Sequence, residues 1–177
     1  MRIREATPAD LDPIPSPIMD LIGRAVPLMR ASGNYQWSDD YPNREVFRRD
    51  LELHQLWCAE VDACAAKSDG CIAAVAAITL DQSPEYADAG WDLREQAIVV
   101  HRLAVDPARR GLGLAHALMR HAEFIARERG IQLLRVDTNS VNKAMQQLFV
   151  KLGYTFAGEI SLAGRKGLRF FCYGKSL

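Results

Sequence analysis

Residues 101–130, HRLAVDPARRGLGLAHALMRHAEFIARERG, constrain this chain more than any other stretch. They read as an apolar strand, a tight turn marked by Pro107, Gly111 and Gly113, and then a long amphipathic helix. Leu114, Leu118, Met119, Ala122, Ile125 and Ala126 recur on one helical face, and Gly130 ends it. A strand that passes through glycines into such a helix calls for a layered arrangement, with the helix lying back on a sheet. The junction leaves the first N–H groups of the helix unpaired at the positive end of its dipole, so it predicts an anion-binding turn. Arg109 and Arg110 stand directly before the glycines.

The other segments supply the layers. Residues 3–6 read as a first strand, and prolines at 13, 15 and 17 hold off a regular helix until Pro17 or Ile18. From there Ile18, Leu21, Ile22, Ala25, Val26, Leu28 and Met29 keep helical spacing, with Pro27 expected to kink or shorten the helix and Gly33 to end it. A polar and aromatic loop, GNYQWSDDYPN, leads to a second helix capped by Asn43 and carrying Val46, Phe47, Leu51 and His54. Residues 56–61 and 71–80 are strand-like and joined by a turn at 67–70, giving a hairpin. After an irregular insertion at 81–95 come the strand 97–105, the long helix, a strand at 133–137, a helix from about 142 to 152, and a closing strand pair at 154–160 and 168–173. The fold class is α/β (α+β): a mixed, mostly antiparallel central sheet with helices on both faces, built as one domain over residues 1–177.

Composition narrows the function. Lysine plus arginine equals aspartate plus glutamate at 22 each, which is not the basic footprint of a nucleic-acid binder. No apolar run approaches a membrane span, and the charged N-terminus lacks the apolar stretch of a secretory signal, so a cytoplasmic location is expected. Cys58, Cys64, Cys71 and Cys172 have no metal-ligand spacing and are expected to be reduced, buried thiols; no metal is expected.

The glycine turn lacks the lysine and hydroxyl of a Walker loop, and His116 stands where a dinucleotide fingerprint needs its third glycine. Instead, LAV, Asp-Pro and Arg110-Gly111-Leu112-Gly113-Leu114-Ala115 resemble the acyl-CoA-binding motif of the GNAT superfamily of N-acetyltransferases. Asn142-Lys143-Ala144 followed by LFVKLGY looks like that superfamily's second signature, and the element order agrees with its fold.

The resemblance implies a splayed parallel strand pair that admits acetyl-CoA as co-substrate. Pantetheine would lie along the backbone of Leu103, Ala104 and Val105. The pyrophosphate would sit on the turn of Arg109, Arg110, Gly111, Leu112, Gly113, Leu114 and Ala115. Asn142 would contact the cofactor or simply cap its helix, and Phe149 would pack along it. HRLAV is similar to the HALAV segment of arylalkylamine N-acetyltransferases, which makes His101 the candidate base; the other reading is a packed histidine. Where the family often has an acidic tyrosine this chain has Phe149, leaving Tyr173, another group, water or none as the acid. Tyr35, Trp37 and Tyr41 would line the acceptor pocket, and aromatic faces suit a small-molecule amine. The implied reaction is acetyl transfer to a primary amine by direct attack in a ternary complex, with no nucleic acid or membrane partner and a homodimer left open. The alternative is a catalytically weak acetyl-CoA-binding regulatory or sensor domain.

Overall fold

The computed structural model describes residues 1–62 and 71–177. In chain order it gives β1 (Arg2–Glu5), α1 (Pro8–Leu11), α2 (Pro17–Ala31), α3 (Arg44–Glu52), β2 (Leu56–Val61) and β3 (Cys71–Thr79). A 3₁₀ segment at Pro84–Ala89 precedes β4 (Ala97–Val105). Then follow α4 (Leu114–Glu128), β5 (Leu133–Asn139), α5 (Lys143–Lys151), β6 (Thr155–Ile160) and β7 (Phe170–Ser176). The strands form one sheet in the order β1-β2-β3-β4-β5-β7-β6. Only the central β4–β5 pair is parallel, as expected for a mixed, mostly antiparallel sheet.

Each face of the sheet has its own core. On one side α4 packs Leu118, Met119 and Ala122 against Ala74, Ile98, Val100, Leu134 and Val136, with Phe149 of α5 beside them. On the other side α1, α2 and α3 bring Leu11, Ile18, Leu21 and Phe47 onto Leu56, Cys58 and Val75. A third cluster, Tyr86, Val99, Ile160, Phe170 and Cys172, fixes the insertion under β5–β7–β6. Burying a side chain of this size contributes roughly 2 kcal/mol.

Two features of the sheet create the site. First, β4 and β5 pair only over Ala97–Leu133, Ile98–Leu134 and Val99–Arg135, after which they diverge. β5 continues along β7 to Asn139, while β4 stays with β3, so the β5-facing edge of β4 has no strand partner beyond Val99. Second, Ala77 faces His101 and Val75 faces Ala104, so Arg102 and Leu103 together oppose Ala76. Arg102 takes a left-handed backbone, φ 52°, which costs a non-glycine residue about 1–2 kcal/mol. Its guanidinium offsets that strain by a forked pair of 2.7 Å bonds to the Asp50 carboxylate on α3.

Several local expectations change. The α1 turn was not anticipated; Thr7 and Asp10 form a capping box that starts it at Pro8. Pro27 sits inside α2 without ending it; the carbonyl facing its ring belongs to exposed Gly23, four residues earlier. His54 lies past the end of α3, exposed and paired with Glu5 at 2.6 Å. Cys71 is disulfide-bonded, correcting the expectation of four thiols, while Cys58 and Cys172 are free and buried. Cys71 stands at the half-buried start of β3, opposite Val61 of β2. The hairpin turn expected at 67–70 and Cys64 lie outside the described residues. No helix among the described residues is long and apolar enough to cross a membrane.

Candidate functional site

The divergence of β4 and β5 opens a cleft of about 370 Å³ through the sheet. Val100, Met119, Val136, Met145 and Phe149 form its apolar side, and His101, Asp81, Gln82, Asp137 and Thr138 its polar side. Gln36, Trp37 and Tyr41 close it from the α2–α3 loop, and Leu162, Arg165 and Phe170 from the β6–β7 connection. The loop is held across the gap, since Gln36 Oε1 accepts the Asn139 N–H of β5 at 3.2 Å. Arg30 fixes its middle by donating to the Trp37 carbonyl and by a 2.6 Å bond to Asp39.

His101 projects from β4 into this cleft. Its Nε2 lies 3.0 Å from the Asp81 carbonyl, which can only accept, so Nε2 carries the proton and Nδ1 keeps a lone pair. Burial lowers the imidazole below its usual pKa, working against the Asp81 carbonyl and the charge of Asp137, which favour the protonated form. The ring is therefore mainly neutral near pH 7.

Beside it, Arg102 turns away to Asp50 and to the Tyr41 hydroxyl, at 3.2 Å. Burial pushes the Asp50 carboxyl up while the Arg102 guanidinium pulls it down. Tyr41 also receives the Arg165 guanidinium over its ring at 4.2 Å, so α3, β4, the α2–α3 loop and the β6–β7 connection meet at one aromatic residue. Asp137 of β5 accepts a 2.6 Å hydrogen bond on Oδ1 from the hydroxyl of Tyr86, which is fully buried.

Where β4 ends, Asp106 caps the following turn through the Ala108 N–H at 3.0 Å and pairs with Arg24 of α2 at 2.8 Å. Burial raises this carboxyl, but the Arg24 hydrogen bond and the cap bring it below its ordinary pKa. Gly111 and Gly113 follow with φ of 82° and 73°, a conformation that glycine adopts without cost. A Cβ built on either would meet nothing within 4 Å, so open space lies in front of the turn. Gly113 is the N-cap of α4 and has no side chain to satisfy the first-turn N–H groups of Leu114, Ala115 and His116. These donors, the open space and the unpaired β4 edge fit an extended ligand ending in phosphate.

The expected residues fall into two groups. His101, Leu103, Asn142, Phe149, Trp37 and Tyr41 line the cleft. Ala104 and Val105 pair with Val75 and Ala74 and continue β4 toward the turn. Arg109 is half-buried, and Arg110 and Leu112 are exposed on the turn. Asn142 is the N-cap of α5, accepting the Met145 N–H at 3.4 Å and donating to Thr138 at 3.0 Å. Tyr35 does not join them: it is 59% exposed and outside the cleft, because the loop turns Trp37 inward instead. Trp37 belongs to the α2 core as well as to the cleft lining. Tyr173 packs against Phe149 and Phe156 and does not line the cleft. Trp91 lies over the β5–β7 end, against Gly174 and Arg135. His121 is half-buried, with Phe124 stacked on its ring and Trp57 tilted against it. Sequence reasoning missed Asp137, Asp50, Arg102 and Arg165; Arg102 and Asp137 carry a local signal, since each is a charged residue inside a strand.

Comparison with known proteins gives the same picture. The model of a family described as the acetyltransferase (GNAT) family matches residues 31–154. Streptothricin acetyltransferase of Streptomyces lavendulae is 32% identical over 73 residues, 41% of this chain and 39% of that protein. The match thus spans well under half the length of that relative. A GNAT-family acetyltransferase structure from Streptococcus agalactiae 2603 is 29% identical with a TM-score of 0.78, covering 99% of this chain and 95% of that one. The structure of yncA from Salmonella typhimurium, solved with its cofactor acetyl-CoA, shares the fold at 18% identity and TM-score 0.69, covering 100% and 94%.

Proposed function

The chain belongs to the GNAT acetyltransferase family, and from that premise we propose that it moves an acetyl group from acetyl-CoA to a primary amine of a small molecule. The observation that carries the reading is the divergence of β4 from β5, which joins the cleft at His101 to the glycine turn of α4 through one unpaired strand edge. A pantetheine arm would add to that edge as an extra strand, through the backbone of Leu103 and Val105. The first-turn N–H groups of α4 would hold the pyrophosphate, with Arg110 adding charge at the rim. Phe149 and Met145 would keep water from the arm.

Acetyl-CoA supplies an activated thioester, and the remaining demands fall on the protein. The acceptor is protonated near neutral pH and must lose a proton before it can attack. His101 would take that proton on Nδ1, the nitrogen that its bond to the Asp81 carbonyl leaves free. Charge on the carbonyl oxygen would meet a main-chain N–H of β4. Phe149 has no proton for the departing sulfur, and a thiolate leaves comparatively easily without one.

Phe149 also favours a second reading, a catalytically weak acetyl-CoA-binding regulatory domain. A screen of small amines with acetyl-CoA, following free thiol, separates the two. Thiol release that depends on an amine supports the enzyme; coenzyme A binding with no turnover on any amine supports the sensor.

A further inference from the structure

Asp137 is the unexplained charge of the cleft. It lines the cleft from β5, half-buried, and among the described residues no cation comes within salt-bridge distance of it. The nearby guanidiniums are committed elsewhere: Arg102 to Asp50, Arg135 to Glu95 at 2.8 Å, and Arg165 over Tyr41. Its Oδ1 is held by the Tyr86 hydroxyl at 2.6 Å, and its Oδ2 receives no hydrogen bond among the described residues. Tyr86 is itself fully buried and edge-on to Trp91 at 5.1 Å between ring centres. Burial, with the Asp137 charge behind it, pushes the Tyr86 phenol well above its usual pKa, so it remains a donor at any working pH. Oδ2 is not among the buried polar atoms that lack a partner, so it is open to the cleft and can accept from a cation that enters there.

We propose that Asp137, oriented by Tyr86, is the subsite that binds the ammonium group of the acceptor beside His101. The inference rests on the acetyl-transfer reading and adds a substrate class to it. The acceptor is an aliphatic primary amine that is cationic in solution and carries no carboxylate next to its nitrogen, because Asp137 would repel one. One N–H of the ammonium bonds to Asp137 Oδ2, and His101 Nδ1 removes a second proton. The freed lone pair forms the C–N bond to the thioester carbon. The C–S bond breaks with its electron pair on sulfur, and the remaining excess proton of the nitrogen goes to solvent. The thiolate takes up one of the two released protons, from His101 or from solvent, so the products are the amide, coenzyme A as its thiol and one net proton. Asp137 binds and Tyr86 positions; neither transfers the proton.

The test uses the full chain with 1,4-diaminobutane and phenethylamine as cationic probes, glycine as an amine beside a carboxylate, and aniline as an amine neutral at pH 7. Asp137→Asn keeps an acceptor for Tyr86 and removes only the charge. Its expected effect is a rise of at least tenfold in KM for the cationic amines, with KM for acetyl-CoA within twofold and aniline little affected. Tyr86→Phe keeps the charge and loosens it, raising the same KM about threefold and leaving kcat within twofold. Glycine should be the poorest amine for the native protein. Equal KM values for the cationic amines in native protein and Asp137→Asn would overturn the subsite, as would equal losses with aniline. Calorimetric titration of 1,4-diaminobutane into the coenzyme A complex gives a readout free of turnover. If no amine is acetylated, the transfer reading fails, yet binding that Asp137→Asn weakens tenfold still establishes the subsite. Equal binding by both proteins overturns it.

Discussion

At the scale of single residues the site is a problem of which lone pair is left over. The Asp81 carbonyl occupies one nitrogen of His101, and burial keeps the ring neutral, so Nδ1 is available as a base below the ordinary histidine pKa. His101→Ala should therefore lower kcat/KM by about 100-fold at pH 6, the usual size of a general-base effect. The deficit should shrink as pH rises toward the acceptor's own pKa, about 10 for an alkyl amine, because free amine then forms without help. A variant whose pH–rate profile matches the native one would remove His101 from the reaction. The same shift has a stability consequence of defined sign. The unfolded chain takes up a proton near pH 6.5 that folded His101 refuses, so this contribution is present above that pH and is lost as pH falls toward the depressed value. His101 could be singled out in the sequence because it sits two residues from a recognisable strand. Asp137 and Tyr86 could not be recognised as a pair, because they stand 51 positions apart and meet only once the chain has folded.

At the scale of elements, α4 and its turn were legible because their determinants are local: glycines where φ must be positive, and an apolar stripe at helical spacing. Gly113→Glu would place a carboxylate where phosphates are expected and force a side chain onto φ 73°. Coenzyme A affinity should fall at least 100-fold, with a stability loss of only about 1–2 kcal/mol since nothing crowds the site. Unchanged affinity in a calorimetric titration would show that the turn does not hold the phosphates. α2 teaches the opposite lesson, since Pro27, expected to kink or shorten the helix, does not shorten it: α2 runs on to Ala31. Proline still lacks an N–H there, so Pro27→Ala should stabilise the protein by roughly 1–2 kcal/mol, measured by urea unfolding. A decrease would mean that the local bend is needed to seat the α2–α3 loop. α1 escaped notice because four residues are too few for periodicity, and its capping box was the only signal.

At the scale of the molecule, the order of strands and helices could be read from the sequence, but the divergence of β4 from β5 could not be read from either strand alone. It follows from β5 staying with β7 and β4 with β3, two sets of long-range pairings. The cleft therefore separates the two halves of the sheet, and a ligand bridging them should stabilise the whole. Coenzyme A at 100 times its dissociation constant would contribute about 2.7 kcal/mol. For a chain of this size that corresponds to a rise of roughly 5–10 °C in Tm. No shift at that concentration would mean that coenzyme A does not bind the folded chain.

The doubled position at Arg102 and Leu103 also changes the parity of β4. In a regular strand, positions 99, 101, 103 and 105 would look one way and 100, 102 and 104 the other. Here Val99 and Ala104 belong to the cores on the helix α2 and insertion side, while Val100, Leu103 and Val105 pack with α4. Odd and even exchange roles halfway along. Removing one residue at 102 would restore simple alternation with Leu103 and Val105 still facing α4, so what the extra residue adds is Arg102 itself, set against Asp50 of α3. One strand thus keeps two registers, the first setting His101 among acceptor groups and the second carrying the backbone onward to the glycine turn.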